Sequence, residues 1–269
     1  MKKVVFLILA LFSITNSYAQ LIEEYRECAV ERFNMRDYQG AIEYFTRIIE
    51  INPKDSSTYF DRAMTKEYIK DYKGAIEDFT KGIELDSTSI DNYFLRGIVK
   101  NKLKDYKSAI IDFDKTVKLE AGNADAYYYR GIAKVELKEL SNAIIDFTKA
   151  IEKRTNHFEA YTNRGSVKFQ LKDYTNALID FNKAIEFDST YADAYYYRAR
   201  TNAALKNDKK AIFDFDKAIE LNPTNAEYYL YRGEVKLQLG QKESGCMDIR
   251  KYLELGGEDK EKASKILSH

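Results

Sequence analysis

The chain has 269 residues, of which 45% are hydrophobic, and it carries 43 Lys and Arg against 43 Asp and Glu. That apolar content is ordinary for a folded protein. The formal net charge of zero leaves no basic excess to neutralise phosphates, which argues against nucleic acid or an anionic membrane surface as partner. Only two prolines occur, Pro53 and Pro223. A proline inside a helix costs roughly 3 kcal/mol, so this scarcity suits a nearly all-helical chain.

Residues 1–19 read as a separate segment. Met1, Lys2 and Lys3 give a positive start, Val4 to Phe12 is an unbroken apolar run, and Ser17 and Ala19 put small residues where a signal peptidase inspects the chain. The pattern predicts a secretory signal cleaved after Ala19. The apolar run is less than half of the about 20 residues that a membrane anchor needs. Cys28 follows Arg26 and Glu27 rather than small residues, so a lipid anchor there is not expected. The mature chain, residues 20–269, is expected to be exported, periplasmic or extracellular, without membrane insertion.

From residue 22 one 34-residue pattern recurs seven times without insertion, over 22–55, 56–89, 90–123, 124–157, 158–191, 192–225 and 226–257. Tyrosines stand at Tyr25, Tyr59, Tyr93, Tyr127, Tyr161, Tyr195 and Tyr229. Alanines stand at Ala41, Ala75, Ala109, Ala143, Ala177 and Ala211, and phenylalanines at Phe45, Phe79, Phe113, Phe147, Phe181 and Phe215. A fixed period of this kind means a stacked array in which each copy leans on its neighbours. In the third copy Tyr93, Gly97 and Leu103 fall on one helical face. A polar break follows at Lys104, Asp105 and Tyr106. Ala109, Ile110, Phe113 and Val117 then mark a second amphipathic helix.

Asp105 sits where an N-cap is expected, as do Asp37, Asp71, Asp173 and Asn207, with Glu139 the weaker exception. Gly97 and Ala109 are small because two helices cross there. Each copy is predicted as a helix, a short turn and an antiparallel helix, with the Tyr and Phe ladder buried by stacking. Residues 258–269 are predicted to form a short capping helix, Ala263, Ile266 and Leu267 covering the last core.

A charge ladder runs through the same period. Arg62, Arg96, Arg130, Arg164, Arg198 and Arg232 are each followed sixteen residues later by Asp78, Asp112, Asp146, Asp180, Asp214 and Asp248. In the first copy Cys28 and Tyr44 replace both members together. The joint loss favours pairing within each hairpin. Pairing across the stack, Asp78 with Arg96 and onward, is the alternative and would strand Arg62 and Asp248. An arginine near a packing face needs a partner, since a lone buried charge costs several kcal/mol. Cys28 and Cys246 lie six copies apart, too far for a disulfide in an extended array, and are expected as buried thiols. His157 and His269 are isolated, so no metal site is expected.

These residues resemble the tetratricopeptide repeat family, with Tyr93 in the aromatic slot, Gly97 in the small slot, Ala109, Phe113, and Pro53 or Pro223 after the second helix. The resemblance covers residues 22–255. It departs at the arginines, where the family usually carries leucine, and in the last copy, where Gly245 and Ile249 replace Ala and Phe. It implies an all-α fold, a right-handed superhelical solenoid whose concave face is lined by the first helices. It also implies a non-enzymatic scaffold that binds a peptide or protein segment on that face.

Carried onto this chain, the concave positions begin with an apolar stretch, Phe60, Met64, Phe94, Ile98, Tyr128 and Ile132. They continue with Thr162, Ser166, Tyr196 and Arg200. Exposed apolar patches mark interaction sites; the competing reading is that these side chains pack against the preceding second helix. The chain holds 22 tyrosines, and tyrosine also stacks on sugar rings, so a cell-envelope glycan-binding module is the second functional reading. No histidine–carboxylate pair, serine elbow, phosphate-cradling glycine loop or cofactor motif is present, so neither an enzyme nor a cofactor is expected.

Overall fold

The computed structural model describes residues 2–267, with side chains from residue 17 onward. Among the described residues it is all-α, with fifteen helices. The chain forms two compact units, one ending at Ala133 and the other beginning at Lys134. The first holds α1 (Lys2–Asn34), α2 (Tyr38–Ile51), α3 (Ser56–Tyr68), α4 (Tyr72–Leu85), α5 (Ile90–Lys102), α6 (Tyr106–Leu119) and most of α7 (Ala124–Glu136). The second holds the end of α7, then α8 (Leu140–Lys153), α9 (Phe158–Gln170), α10 (Tyr174–Phe187), α11 (Ala192–Ala204), α12 (Asp208–Leu221), α13 (Ala226–Gln238), α14 (Lys242–Glu254) and α15 (Lys260–Leu267). The apolar side chains of Val4 to Phe12 lie outside the described residues. α1 passes Ala19 and Gln20 without a break. No described helix is long and apolar enough to cross a membrane.

The turns inside the helix pairs show why the helices stop where they do. Arg36, Lys70, Lys104, Lys138, Lys172 and Lys206 all take the left-handed conformation, with φ between 61° and 64°, and Gly240 takes it in the seventh turn at 76°. This residue ends the first helix: Arg36 N–H bonds to Phe33 O and Asp37 N–H to Arg32 O, both at 2.9 Å. The arrangement satisfies carbonyls that the helix end would otherwise leave unpaired. The next residue opens the second helix. Asp37 and Asp71 accept from Gly40 and Gly74 N–H at 3.0 Å, and Asp105 and Asp173 from Ser108 and Asn176 at 3.3 Å. Asn207, expected to cap, makes no such side-chain bond, and neither do Glu139 and Gln241.

The alanine and phenylalanine positions form the core. Ala41, Ala75, Ala109, Ala143, Ala177 and Ala211 are fully buried, as are the five phenylalanines from Phe79 to Phe215 and Ile249 in the last copy. Gly97 and Gly165 are small for a measurable reason: a Cβ at either would stand 2.7 Å from the ring of Phe113 or Phe181. The tyrosine ladder differs from expectation. Tyr59 is buried, but Tyr93, Tyr161 and Tyr229 are only half-buried. Each lies beneath the ladder arginine of its own copy, Arg164 for example 5.5 Å from the Tyr161 ring centre. The ring thus shields a charge as well as covering the core.

That charge is paired within the hairpin. Arg62 grips Asp78 with Nη2 and Nε at 2.7 and 2.9 Å, and Arg96–Asp112, Arg164–Asp180, Arg198–Asp214 and Arg232–Asp248 repeat the two-point contact. A lysine one turn later, Lys66, Lys100, Lys134, Lys168 or Lys236, adds a third donor at 2.7–2.8 Å. The remaining Nη1 of each arginine reaches the preceding second helix, at Thr46, Thr80, Asp114, Thr148, Asn182 or Asp216. The aspartate link is therefore local, and a different acceptor carries the link along the stack. In the first copy the Tyr25 and Tyr44 rings pack 5.8 Å apart instead, with Arg47 over both. At the other end Ala263, Ile266 and Leu267 of α15 cover Leu230, Ile249 and Tyr252. Cys28 and Cys246 are free and half-buried rather than buried.

Candidate functional site

The first helices carry the expected binding row, and the structure places its members unequally. In the first unit Phe60, Met64, Phe94, Ile98, Tyr128 and Ile132 are all half-buried. Phe60 stands edge-on to the buried Phe79 at 5.9 Å, and Phe60 and Met64 join the cluster of Ala63, Ala75, Phe79 and Val99. Phe94 lies 6.1 Å from Phe113 and 5.9 Å from Tyr129, and Tyr128 lies 5.2 Å from Tyr129. Phe60, Met64 and Phe94 therefore pack one face into the stack and present the rest to solvent. Such half-buried rings are held in one orientation, which lowers the entropy lost when a partner covers them.

One period before Phe60, in the same slot, Arg26 of α1 is tied down. It donates to Asp55 at 2.9 Å, Thr58 at 3.1 Å and Asp61 at 3.1 Å, joining α1 to α3. Burial opposes ionisation of Asp55, but hydrogen bonds from Ser57 and Thr58 and the Arg26 charge hold its carboxyl below the ordinary range. Burial pushes Asp61 up, against the pull of Arg26.

In the second unit two members are not available as expected. Thr162 is only 2% exposed and its hydroxyl donates to Phe158 O of its own helix at 3.0 Å. Tyr196 is 8% exposed, its ring within 5.0 Å of both Tyr197 and Tyr228. Burial pushes the Tyr196 hydroxyl above its ordinary range. Tyr196 is interior because it packs onto Tyr228 and Tyr231 of the next first helix. Ser166 remains half-buried.

Arg200 is the distinctive group. Its guanidinium lies over Tyr231 at 4.4 Å, Phe169 at 5.2 Å and Tyr196 at 5.4 Å, and donates to the Tyr196 hydroxyl at 3.3 Å. Among the described residues no carboxylate lies within ion-pair distance of it. A cleft of about 270 Å³ opens beside it, walled by Phe169, Tyr231, Glu234 and Gln238. Glu234 is occupied by Lys262 of α15 at 2.7 Å. Three rings surround the guanidinium and Arg200 itself lines the cleft, an arrangement suited to a carboxylate.

A second row escaped the sequence reading. Ile145, Ile179, Phe213 and Met247, one on each second helix of the second unit, are 55–60% exposed. They share one slot of the 34-residue period, where the first unit has Glu43, Glu77 and Ile111. The change from charged to apolar along a single slot was the signal available.

Comparison with known proteins agrees with this architecture. Models described as tetratricopeptide repeat match residues 30–55, 56–89, 158–191, 192–225 and 215–246, together more than half of the chain. No curated protein sequence matches it. A tetratricopeptide repeat protein from Parabacteroides merdae is similar in structure, with a TM-score of 0.72 and 20% identity, over 93% of this chain and 98% of that one. YrrB, a tetratricopeptide protein with an unusual peptide-binding site, has a TM-score of 0.58 and 28% identity over 75% of this chain and 100% of its own. MamA from Desulfovibrio magneticus RS-1 has a TM-score of 0.60 and 20% identity over 64% of this chain and 97% of its own. Helix pairs in phase with the period, small residues at the crossings and these matches lead to one assignment: the chain belongs to the tetratricopeptide repeat family.

Proposed function

We propose that the protein is a non-enzymatic scaffold whose first-helix faces bind a peptide or protein segment. In the first unit Phe60, Met64, Phe94, Ile98, Tyr128 and Ile132 supply apolar anchorage. In the second unit Arg200, with Ser166 nearby in the row, supplies polar selection. The observation that carries the reading is the Arg200 guanidinium, stacked among three rings yet without a carboxylate partner. Holding a partly buried cation unpaired is costly, and an acidic residue of a bound segment would relieve that cost. The likeness to YrrB, a tetratricopeptide protein with an unusual peptide-binding site, supports the same reading. A sugar-stacking surface is less favoured, because Tyr196, one of the rings it would use, faces inward.

The test is selection from a random peptide display library on the full chain. Peptides enriched on the native chain should carry an acidic residue, and Arg200→Glu should weaken them about tenfold while favouring basic ones. Identical selections by both proteins would overturn the role of Arg200. We also read residues 1–19 as an export signal, on the pattern of charge, apolar run and small residues alone. N-terminal sequencing of exported protein should begin at Gln20; membrane-retained protein with Met1 intact would refute this.

A further inference from the structure

We propose a second binding surface, on the second-helix face of the second unit, that takes an acidic amphipathic helix. Two independent irregularities meet there. The first is the apolar row Ile145, Ile179, Phe213 and Met247, each more than half exposed. The second is a break in the charge ladder. Where other copies place Lys66, Lys100, Lys134, Lys168 or Lys236 on the ladder aspartate, the sixth has Asn202, whose amide stands 3.4 Å from Asp214. The shorter side chain leaves a cleft of about 420 Å³ with α10 and α12 as walls and α11 as floor, and Phe213 of the apolar row forms part of its wall.

Charge determines what the cleft accepts. Asp214 lies at the base but is held by Arg198 at two points, 2.7 and 2.9 Å. Lys209 and Lys210 stand beside it, and neither forms an ion pair with a described residue. With Arg198 balanced by Asp214, the two lysines leave an excess of positive charge beside an apolar wall. An aspartate or glutamate next to an apolar residue complements both.

The placement of the residues on α12 determines the backbone. Lys209 and Lys210 precede Phe213 by four and three residues, so the two cations and the ring share one face of α12, at roughly 5–6 Å between Cβ atoms. A partner helix repeats that spacing, since residues three and four apart on it are also about 5–6 Å apart. An apolar residue on it meets Phe213 while an acidic residue one turn away meets the lysines at the cleft.

The experiment uses the full chain and a synthetic helical peptide of three heptads with leucine at every seventh position and glutamate one turn away from it. A counterpart with lysine in place of glutamate is the control. Fluorescence anisotropy should show the acidic peptide binding at least about tenfold more tightly than the basic one. Phe213→Ser, and separately Lys209→Glu with Lys210→Glu, should each weaken it at least about tenfold with helical content unchanged. Equal binding of the two peptides, binding of neither, or undiminished binding by both Phe213→Ser and the double lysine variant would overturn the proposal. So would self-association of the chain that Phe213→Ser abolishes, which would assign the row to a second copy.

Discussion

Asp180 shows how a charge survives inside this stack. It is 1% exposed, which would be costly for a carboxylate left alone. Arg164 contacts both of its oxygens, at 2.7 and 3.0 Å, and Lys168 adds a third donor at 2.7 Å. Arg164 in turn donates from Nη1 to Thr148 of the preceding helix at 2.9 Å. In the last copy burial works against the charge of Arg232, but Asp248 and Asp216 outweigh it and hold its pKa above the ordinary value. The exposed pairs on the second helices, such as Lys183–Glu186, are of a different order, because water screens them. The expected outcome of a double-mutant cycle follows. Arg164→Met alone should destabilise by about 3 kcal/mol, because it strips Asp180 of its two-point partner. Combining it with Asp180→Leu should cost clearly less than the two single changes added. Denaturant titration measures this, and simple additivity would mean that the contact carries no coupling. The Arg–Asp pairing was legible from the joint loss at Cys28 and Tyr44. The acceptor on the preceding helix was not, because that slot varies among Thr, Asp and Asn and shows no charge pattern.

At the scale of the element, the left-handed residue between paired helices is the least expected feature. A non-glycine residue there costs roughly 1–2 kcal/mol, yet six of the seven turns use Arg or Lys. Glycine would relieve that strain but lose more backbone entropy on folding, about 0.5–1 kcal/mol. Lys172→Gly should therefore stabilise the protein, by about 0.5–1 kcal/mol, seen as a raised Tm in a reversible melt. A lowered Tm would show that the lysine side chain makes a compensating contact. Helix positions were legible because apolar residues recur at helical spacing and aspartate begins the second helix in four turns. The left-handed turn was not, because lysine carries no preference for it. The one clue was Gly240, which occupies in the seventh copy the slot that Arg36 and the five lysines hold elsewhere.

For the whole molecule, periodicity identifies which residues share a slot but not which way the slot faces. Phe60, Phe94, Tyr128, Thr162 and Tyr196 occupy one slot, yet the first three are half-buried and the last two are inside. The local neighbours decide: Tyr196 is drawn in by Tyr228 and Tyr231, and Thr162 is short enough to be covered, its hydroxyl satisfied by its own helix. The exposed row from Ile145 to Met247 was missed for the converse reason, since apolar periodicity on an amphipathic helix is ordinarily read as core. The central claim is that the half-buried rings of the first helices bind a partner segment. Its most direct test is titration of library-selected peptides against the native chain and against Phe94→Ala with Tyr128→Ala. The double change should weaken binding by about 2–4 kcal/mol, as removal of central aromatic anchors does, with the circular dichroism spectrum unchanged. Unchanged affinity accompanied by a large loss of stability would contradict the claim and leave Phe94 and Tyr128 as parts of the stack alone.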